Sequence, residues 1–417
     1  MNTAKAKLQN EVLFSFSFLL PHLNTTTTRM SETTSGISFE LPESQKMLQK
    51  MVREFAEQEI KPHVMKFDES QEFPLDIVRK MGEHGFLGAM IPIEYGGAGL
   101  TSLDFAIIME ELARIDPSVA LVLAAHHGLC LSHLWGFSNE EQKRKFVPDL
   151  ASGKKIGAWG LTEPFSGSDA GGMKTTAVRD GDFYILNGVK TFITNASYAS
   201  TFVVMSMGTD SNGKKSHTAF IVEKGMPGFS IGKKENKLGF RASDTAQLIL
   251  EDVRVPAANR LGEEGDGFKQ ALVTLDGGRI GIAALSVGIA QACLEASIRY
   301  AKERHQFGKT IGDFQAIQWK LADMQVETDA ARLLTHRAAM LKMEGKKHSK
   351  EASIAKYFAS ETCCRAANEA VQIHGGYGYV KEFPVEKLYR DAKLMTIGEG
   401  TSEVQKMVIA KCIFSEN

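Results

Sequence analysis

Residues 280–300 read IGIAALSVGIAQACLEASIRY, an uninterrupted helical pattern built mainly from Gly, Ala, Ser and aliphatic residues. Small side chains let neighbouring backbones approach closely, and the stretch holds too many polar groups for a membrane span. Downstream, Glu351–Ile373 repeats its apolar residues with helical spacing, and Gly375-Gly376 supplies a carboxy-terminal stop. The sequence therefore predicts a block of long, closely packed helices from about residue 267.

The hydrophobic period changes to that of strands between about residues 159 and 260. Asn187-Gly188 is a typical two-residue hairpin turn, here between Asp182–Leu186 and Val189–Thr194. The remaining strand signals, including a second Asn-Gly, are Phe202–Met207, Asn212-Gly213, Thr218–Val222 and Gln247–Val255. We expect a domain of antiparallel strands here.

The order helices, strands, helices predicts an α+β multidomain fold and differs from the alternation of a parallel-sheet Rossmann domain. The predicted boundaries are residues 38–158 for an N-terminal helical domain, 159–264 for a middle β domain and 265–417 for a C-terminal helical domain. Residues 1–37 are expected to be a disordered or dispensable extension, with Met30 as an alternative start.

Composition excludes several classes of protein. The chain has 417 residues, 43% of them hydrophobic and 24% charged, and a net charge of −1. Bulk disorder is excluded, and nothing in the charge balance favours nucleic acid or an acidic membrane as a partner. No apolar run reaches eighteen residues, so no membrane span is expected. The five cysteines lack zinc-site spacing, so we predict no metal and a reducing compartment.

Familiar catalytic motifs are absent. A phosphate loop ending at Lys309 needs an earlier glycine where Glu303 stands, and Gly265-Asp266-Gly267 lacks the third glycine of a dinucleotide fingerprint. No HExxH zinc motif and no GxSxG nucleophile elbow occur. What remains is a set of polar, glycine-rich segments at the domain joints, each of which is also consistent with a simple turn, strand end or helix cap.

The most informative of these segments is Ile397–Glu403, which carries Glu399 between two glycines. A lone glutamate is usually a solvated surface carboxylate. Alternatively, an apolar pocket would raise the pKa of Glu399 into the range of a general base, whereas the following helix amino terminus would lower it. Ser402 and Gln405 match a capping box, so we expect that helix to start near Glu403.

Taken in order, these segments resemble the acyl-CoA dehydrogenase family over about residues 40–415, most closely its short-chain, butyryl-CoA type branch. The matching segments are Tyr95–Gly99, Leu161–Pro164 with Gly167-Ser168-Asp169, Asn187-Gly188 with Lys190–Asn195, Arg304 with Phe307-Gly308, Gln372–Gly376, Arg390–Lys393 and Glu399-Gly400-Thr401. The resemblance implies a C-terminal four-helix bundle, FAD between the domains and a homo-oligomer, usually a tetramer.

The resemblance also implies a set of cofactor-binding residues. The Thr194 hydroxyl is expected to face flavin N5, and the adenine and pyrophosphate end is expected to be held across a subunit contact. The implied flavin-lining residues are Trp159, Gly160, Leu161, Thr162, Gly167, Ser168, Phe192, Ile193 and Thr194. Those implied for the remainder of FAD are Arg304, His305, Gln306, Phe314, Gln315, Gln372, Ile373, His374, Gly375, Gly376, Thr401, Ser402 and Glu403.

For the chemistry, the resemblance implies that Glu399 removes the α-proton of an acyl-CoA while a hydride passes from Cβ to the flavin. The product is a trans-2-enoyl-CoA, and electrons go to an electron-transfer flavoprotein. Some branches carry the base on an earlier helix, but the matching position here is Gly278. The residues implied to contact the CoA thioester are Ser168, Asp276, Arg279 and Gly400.

One departure concerns the pocket: many relatives have Tyr just before the base, where this chain has Gly398. The expected substrates are therefore short- to medium-chain acyl groups, straight or branched. Two alternatives stay open, an O₂-using acyl-CoA oxidase and a non-catalytic helical binding protein. The expected location is the cytoplasm, or the mitochondrial matrix in a eukaryote.

Overall fold

The computed structural model describes residues 39–209 and 213–416, and from Pro42 onward these form one compact unit. The predicted extension over residues 1–37 lies outside the described residues. Helices come first, a β sheet follows, and helices return, which confirms the predicted fold class.

The described part of the N-terminal helical region, from residue 39 onward, contains seven α-helices. Thr101 starts the fourth of them through a capping box with Asp104, and Asn139 starts the seventh in the same way with Gln142. π-Helical turns interrupt the region at Ala56–Ile60 and Ala124–Leu131. The helices are α1 Glu43–Phe55, α2 Val64–Ser70, α3 Leu75–Glu83, α4 Ser102–Ile115, α5 Pro117–Leu123, α6 Ser132–Phe137 and α7 Glu140–Ala151.

The central region is an eight-stranded, mostly antiparallel sheet. Its strand order is β6-β7-β3-β2-β4-β5-β8, and β1 pairs with β4; only the β1–β4 and β2–β4 pairs are parallel. The strands are β1 Gly157–Gly160, β2 Thr176–Asp180, β3 Phe183–Thr194, β4 Thr201–Thr209, β5 Lys215–Glu223, β6 Phe229–Lys234, β7 Thr245–Pro256 and β8 Arg260–Leu261.

The predicted hairpin at Asn187-Gly188 is wrong. Both residues lie inside β3, where the register with β7 shifts between Leu186 and Gly188. The Asn187 amide side chain exchanges hydrogen bonds of 2.9 and 2.8 Å with Asp252 of β7, so the pair forms a bulge. A Cβ at Gly188 would lie 2.4 Å from the Thr175 hydroxyl, which explains the glycine. By contrast, β4 and β5 do pair antiparallel around the second Asn-Gly, whose Asn212 lies outside the described residues.

Five α-helices form the C-terminal helical region, and the longest of them, α8, lies at its centre. A Cβ at Gly288 of α8 would lie 2.4 Å from the backbone oxygen of Glu110, so α8 packs directly against α4 of the N-terminal region. The helices are α8 Gly267–Glu303, α9 Gln315–Met343, α10 Ser349–His374, α11 Val385–Met395 and α12 Ser402–Glu416, with the short strands β9 His305–Gln306 and β10 Lys309–Thr310 after α8.

Two helical stretches, Pro117–Phe137 and Gly267–Glu303, have the length and composition of membrane-crossing helices. Of their most apolar windows, 83% and 89% are buried inside the protein. Buried core helices pass the same test of length and composition, so the finding is weak evidence for a membrane span.

The start of α12 differs from the predicted capping box. The helix begins at Ser402, and the hydroxyl of Thr401, one residue earlier, accepts the backbone N–H of Val404 at 3.3 Å. The Ser402 hydroxyl instead donates to Glu361 at 2.6 Å. The Gln405 side chain reaches back toward the residues before the helix, as it would in a capping box. Its amide, however, donates to the carbonyl oxygens of Glu399 and Gly400 instead of accepting a backbone N–H.

A buried ionic cluster joins the three regions. Lys387 of α11 donates to Asp116 at 2.8 Å and to Asp391 at 2.7 Å, and all three side chains are buried. Asp391 also accepts the backbone N–H of Phe240, in the loop between β6 and β7. Burial alone would lower the pKa of Lys387, but attraction to the two carboxylates outweighs it and raises the pKa.

We predict that Lys387→Met lowers the free energy of unfolding by about 3–5 kcal/mol, because it leaves two carboxylates buried without their cation. Urea unfolding monitored by circular dichroism measures the change. Lys393→Met, at an exposed position on the same helix, is the matched control and should stay within about 0.5 kcal/mol of wild type. Equal stability of both variants would contradict the role of the cluster.

Candidate active site

Glu399 lies in the turn between α11 and α12, in a left-handed backbone conformation with φ 52°. Gly400 follows with φ 96°, which favours glycine. A Cβ placed on Gly278 of α8 would lie only 2.2 Å from Glu399 Oε2 and 3.0 Å from Leu129 Cδ2. The carboxyl group therefore lies directly against the backbone of α8, in space that only a glycine leaves open.

Glu399 is partly exposed as a residue, but its Oε2 atom is buried and has no hydrogen-bond partner among the described residues. Burial raises the pKa of Glu399 to about 7, against the opposing positive charges of Lys356 and Arg279. Of the two interpretations of this residue, the structure supports the carboxyl in a pocket rather than the solvated surface group. The net shift is upward, so the lowering of its pKa expected from the helix amino terminus does not decide the outcome.

Two side chains hold the turn that carries Glu399. Lys356 Nζ donates to the carbonyl oxygen of Gly400 at 2.7 Å. The Gln405 amide donates to the same oxygen at 2.9 Å and to the Glu399 carbonyl at 3.2 Å. These contacts stabilise a conformation that costs free energy at a non-glycine residue.

Asp276 and Arg279 form an ion pair at 2.7 Å on α8, on either side in sequence of Gly278, which Glu399 contacts. The Asp276 carboxylate also accepts a hydrogen bond from Ser349, and Arg279 contacts the Ser353 hydroxyl at 3.4 Å. The Arg279 Nε is buried and has no partner in the described part of the chain. Of the four residues expected near a thioester, Asp276, Arg279 and Gly400 thus lie around Glu399.

The strand β1 reaches the same face of α8. Trp159 Nε1 donates to His133 Nδ1 at 3.1 Å, and the Thr274 hydroxyl of α8 also contacts that nitrogen, at 3.2 Å. Thr274 and Gly278 are four residues apart, so they share a helix face. The end of β1 and the Glu399 carboxyl are therefore neighbours along one side of α8.

The loop after β1 and the end of β3 are brought together. The backbone N–H of Thr191 donates to the Thr162 carbonyl at 2.9 Å. Beneath them, buried Lys190 donates to Glu163 at 2.7 Å and to the Leu161 carbonyl at 3.1 Å. Burial lowers the pKa of Lys190 to about 8, opposed by its hydrogen bond to Glu163.

This pair of segments suits a polar planar ring. The hydroxyls of Thr162, Ser168 and Thr194 make no side-chain hydrogen bond in residues 39–209 and 213–416 and are free to contact a ligand. Phe192 is 66% exposed in spite of its size, with φ 57°, and the space beside Gly167 is open. The flavin-lining residues expected from the resemblance therefore fit FAD in their chemistry.

A second cluster lies at the far end of α8. Arg304, Gln306 and the segment Ile373–Gly376 line a cavity of about 860 Å³, together with Tyr300, Tyr377 and Phe383. Tyr300 stacks on His374 with ring centroids 4.3 Å apart, and no atom would obstruct a Cβ at Gly375 or Gly376. Aromatic faces, a guanidinium and accessible backbone fit an adenine with its phosphates.

Other expected residues lie beside this cavity without lining it. Gln372 and His305 are exposed. Phe314, the residue just before Gln315 at the start of α9, contacts Phe307 edge to face.

The two groups of expected cofactor residues are far apart along α8: Arg304 follows Thr274 by 30 residues of helix, which is about 45 Å at 1.5 Å per residue. The structure therefore brings the expected cofactor residues together as two separate clusters. Thr401, Ser402 and Glu403 lie next to Glu399, and the Ser402 hydroxyl is already bonded to Glu361.

Sequence reasoning missed several residues that shape the site. Lys356 is one charged residue among the buried alanines of α10, and this was the available signal. His133 gave no signal, because its role depends on Trp159 and Thr274, which are distant in sequence. Burial lowers the pKa of His133 to about 4, opposed by its contact with Gln270, so the ring is neutral near pH 7.

No group of three or more His, Cys, Asp or Glu side chains that could hold a metal occurs among the described residues.

Comparison with known proteins identifies the family. Family models for the acyl-CoA dehydrogenase N-terminal, middle and C-terminal domains match residues 42–154, 158–253 and 265–414. A short-chain specific acyl-CoA dehydrogenase of Clostridium acetobutylicum is 48% identical over 91% of this chain and 100% of its own length. The CarC subunit of the caffeyl-CoA reductase–Etf complex of Acetobacterium woodii is 47% identical over 88% of this chain and 97% of its own.

Among solved structures, butyryl-CoA dehydrogenase from Megasphaera elsdenii superposes with a TM-score of 0.88 at 45% identity. The match covers 91% of this chain and 100% of that one. With all three domains matched in order and relatives aligned over nearly their full length, this chain belongs to the acyl-CoA dehydrogenase family of FAD-dependent oxidoreductases that act on CH–CH bonds.

Proposed function

We propose that this acyl-CoA dehydrogenase oxidises short- to medium-chain acyl-CoA thioesters, straight or branched, to trans-2-enoyl-CoA, with Glu399 as the base that removes the α-proton. The observation that carries the proposal is the Glu399 carboxyl, whose Oε2 atom is buried against Gly278 and whose pKa is raised to about 7. A general base is most effective when its pKa lies near the operating pH, and a pKa of about 7 meets this condition near neutral pH.

The chain's own residues divide the work around the α-carbon. The Glu399 carboxylate takes the proton, while its backbone N–H is available to stabilise negative charge on the thioester oxygen. Arg279, Asp276, Ser168 and Gly400 are the proposed thioester contacts. Residues at the ends of β1 and β3, including Trp159 and Phe192, would hold FAD, which when bound would supply the acceptor for the hydride from Cβ.

The names of similar proteins support the substrate and the electron acceptor. Two of the relatives are named for short-chain or butyryl-CoA substrates, and a third is a subunit of a complex that contains Etf. We therefore propose an electron-transfer flavoprotein as the acceptor. Gly398 leaves out an aromatic side chain next to the base, so branched acyl groups remain within the proposal.

The two cofactor clusters favour a homo-oligomer, with a tetramer as the proposed state. Thr274, beside the end of β1, and Arg304 lie about 45 Å apart along α8, which is too far for one FAD. Each FAD would therefore use the residues around Thr162 from one subunit and the residues around Arg304 from another. A stripe of exposed apolar residues also runs along one face of α9 at seven-residue spacing, and an unpartnered stripe of this kind is typical of a contact surface. Its residues are Trp319, Val326, Leu333 and Met340.

The proposed location is a reducing compartment, the cytoplasm or the mitochondrial matrix of a eukaryote. All five cysteines are unpaired in the structure, and Cys130, Cys293 and Cys363 are buried. Thiols of this kind persist where glutathione keeps proteins reduced.

We expect Glu399→Gln to fold and retain FAD but to lose at least about 10³-fold in kcat, because the amide cannot accept the proton. Butyryl-CoA oxidation with a dye acceptor measures turnover, and the flavin spectrum measures cofactor content. In the wild type, kcat/KM should fall as the pH drops through about 7. Near-normal turnover of the variant would place the base elsewhere, and hydrogen peroxide release in air would favour an oxidase.

Gly278→Ala should lower kcat by about tenfold or more, because its Cβ would displace the Glu399 carboxyl from 2.2 Å. The matched control is Gly281→Ala on the same helix, where the new Cβ would lie 3.4 Å from Phe105. The control should keep near-normal kcat. Equal activity of the two variants would show that the carboxyl does not need this position.

Subunit mixing tests the shared cofactor site. Glu399→Gln and Arg304→Glu are each expected to be inactive as pure oligomers, the second through weakened FAD binding. Co-expressed with different affinity tags, hybrids should recover about half of the wild-type activity per pair of subunits, because one site in each pair receives both intact clusters. Hybrids that remain inactive would contradict a site built from two subunits.

A further inference from the structure

Lys356 is a fully buried lysine on α10, on a face of small residues that includes Ala352, Ala355 and Ala359. Burying an ammonium group costs several kcal/mol unless it is hydrogen bonded and its charge is compensated. Burial lowers the pKa of Lys356 to about 8, and the attraction of Glu399 is the largest effect that opposes the lowering. Packing alone does not require a cation at this position, since an apolar side chain of the same length would fill it.

The ammonium group of Lys356 is directed at the turn that carries Glu399. Its hydrogen bond to the Gly400 carbonyl, at 2.7 Å, bridges α10 to the two left-handed residues of the turn. Gln405 bonds the same carbonyl from the other side, at 2.9 Å, but it belongs to the helix that follows the turn. Lys356 therefore ties the turn itself to a separate element, α10, which also holds the start of α12 through Glu361 and Ser402.

The positive charge of Lys356 is also available to the carboxylate. Arg279, the other cation acting on Glu399, is paired with Asp276 at 2.7 Å, so much of its charge is compensated. Lys356 forms no ion pair within 4 Å in the part of the chain that the structure describes. The Glu399 Oε2 atom is likewise buried without a partner there.

We propose that Lys356 is a positioning residue for the base: its hydrogen bond fixes the Glu399–Gly400 turn, and its uncompensated positive charge favours the ionised carboxylate. The proposal rests on the proposed function of Glu399 as the base. It predicts that removing the charge and removing the hydrogen bond have separable effects.

The electrostatic surroundings can be stated for each packed element. The groups that act on the Glu399–Lys356 pair are Glu361 and the Cys363 thiol of α10 and Arg279 of α8. Asp276 of α8 is paired with Arg279, and Lys342 of α9 lies against Gly277. Lys356 itself contributes the largest charge effect that lowers the pKa of Glu399. Loss of this charge must therefore raise the pKa of the base.

The test compares Lys356→Met, Lys356→Gln and Lys356→Arg as FAD-loaded enzymes. In Lys356→Met, which loses charge and donor, we expect kcat to fall about tenfold or more with KM within about threefold, and the acid limb of kcat/KM to move to higher pH by about one unit. Lys356→Gln keeps a donor without a charge, so its pH profile should move similarly with a smaller loss in kcat. Lys356→Arg should leave the profile near that of wild type.

A second measurement isolates proton removal. Acetyl-CoA has α-hydrogens but no β-carbon, so exchange of its methyl protons with D₂O, followed by NMR, reports the base without hydride transfer. We expect the exchange rate of Lys356→Met to fall in parallel with kcat, and a crystal structure of that variant to show a displaced Glu399–Gly400 turn.

Lys342→Met is the matched control, because Lys342 is also a buried lysine and its ammonium group lies against Gly277 of α8, yet it is not among the charges that lower the pKa of Glu399. Its pH profile should remain that of wild type. The proposal is overturned if Lys356→Met or Lys356→Gln, folded and loaded with FAD, keeps the wild-type profile and exchange rate. Failure of the base assignment is a different result, namely near-normal turnover and exchange by Glu399→Gln.

Discussion

The close approach of neighbouring segments to the glycines of α8 is the constraint on which the rest of the structure depends. Gly288 receives the backbone of α4, and Gly278 receives the Glu399 carboxyl, each at a distance that no larger residue would allow. One turn before Gly278, Thr274 contacts the histidine that orients Trp159. A single helix therefore sets the separation between the base and the strand end proposed to hold the flavin, and small residues make that separation short.

Charge burial is used in two distinct ways in this protein. In the cluster of Lys387 with Asp116 and Asp391, opposite charges compensate one another and join three regions of the fold. Around Glu399 the compensation is incomplete, because Arg279 is shared with Asp276 and no hydrogen bond reaches Oε2 among the described residues. The first arrangement keeps Lys387 charged and the three side chains in place, whereas the second leaves a carboxyl with its pKa near 7, ready to exchange a proton.

Local signals were reliable where one element alone decided the outcome. The helix Ser349–His374 and its stop at Gly375, with φ 61°, follow directly from spacing and glycine chemistry. Asn187-Gly188 failed because the same dipeptide suits a hairpin turn and a bulge, and pairing with Asp252 of β7 selects the bulge. The start of α12 was missed by one residue because Glu361, from another helix, engages the Ser402 hydroxyl.

The sequence by itself determined the order of helices and strands, and the motif order that identifies the family and with it the expected base. Periodicity, turn residues and short motifs are local properties, so they can be found without knowing the fold. Only the tertiary structure decided that the Glu399 carboxyl is buried over Gly278, that Lys356 supports its turn and that the expected cofactor residues form two distant clusters. These facts depend on contacts between segments far apart in the chain, whose distances and desolvation arise only when the helices pack together.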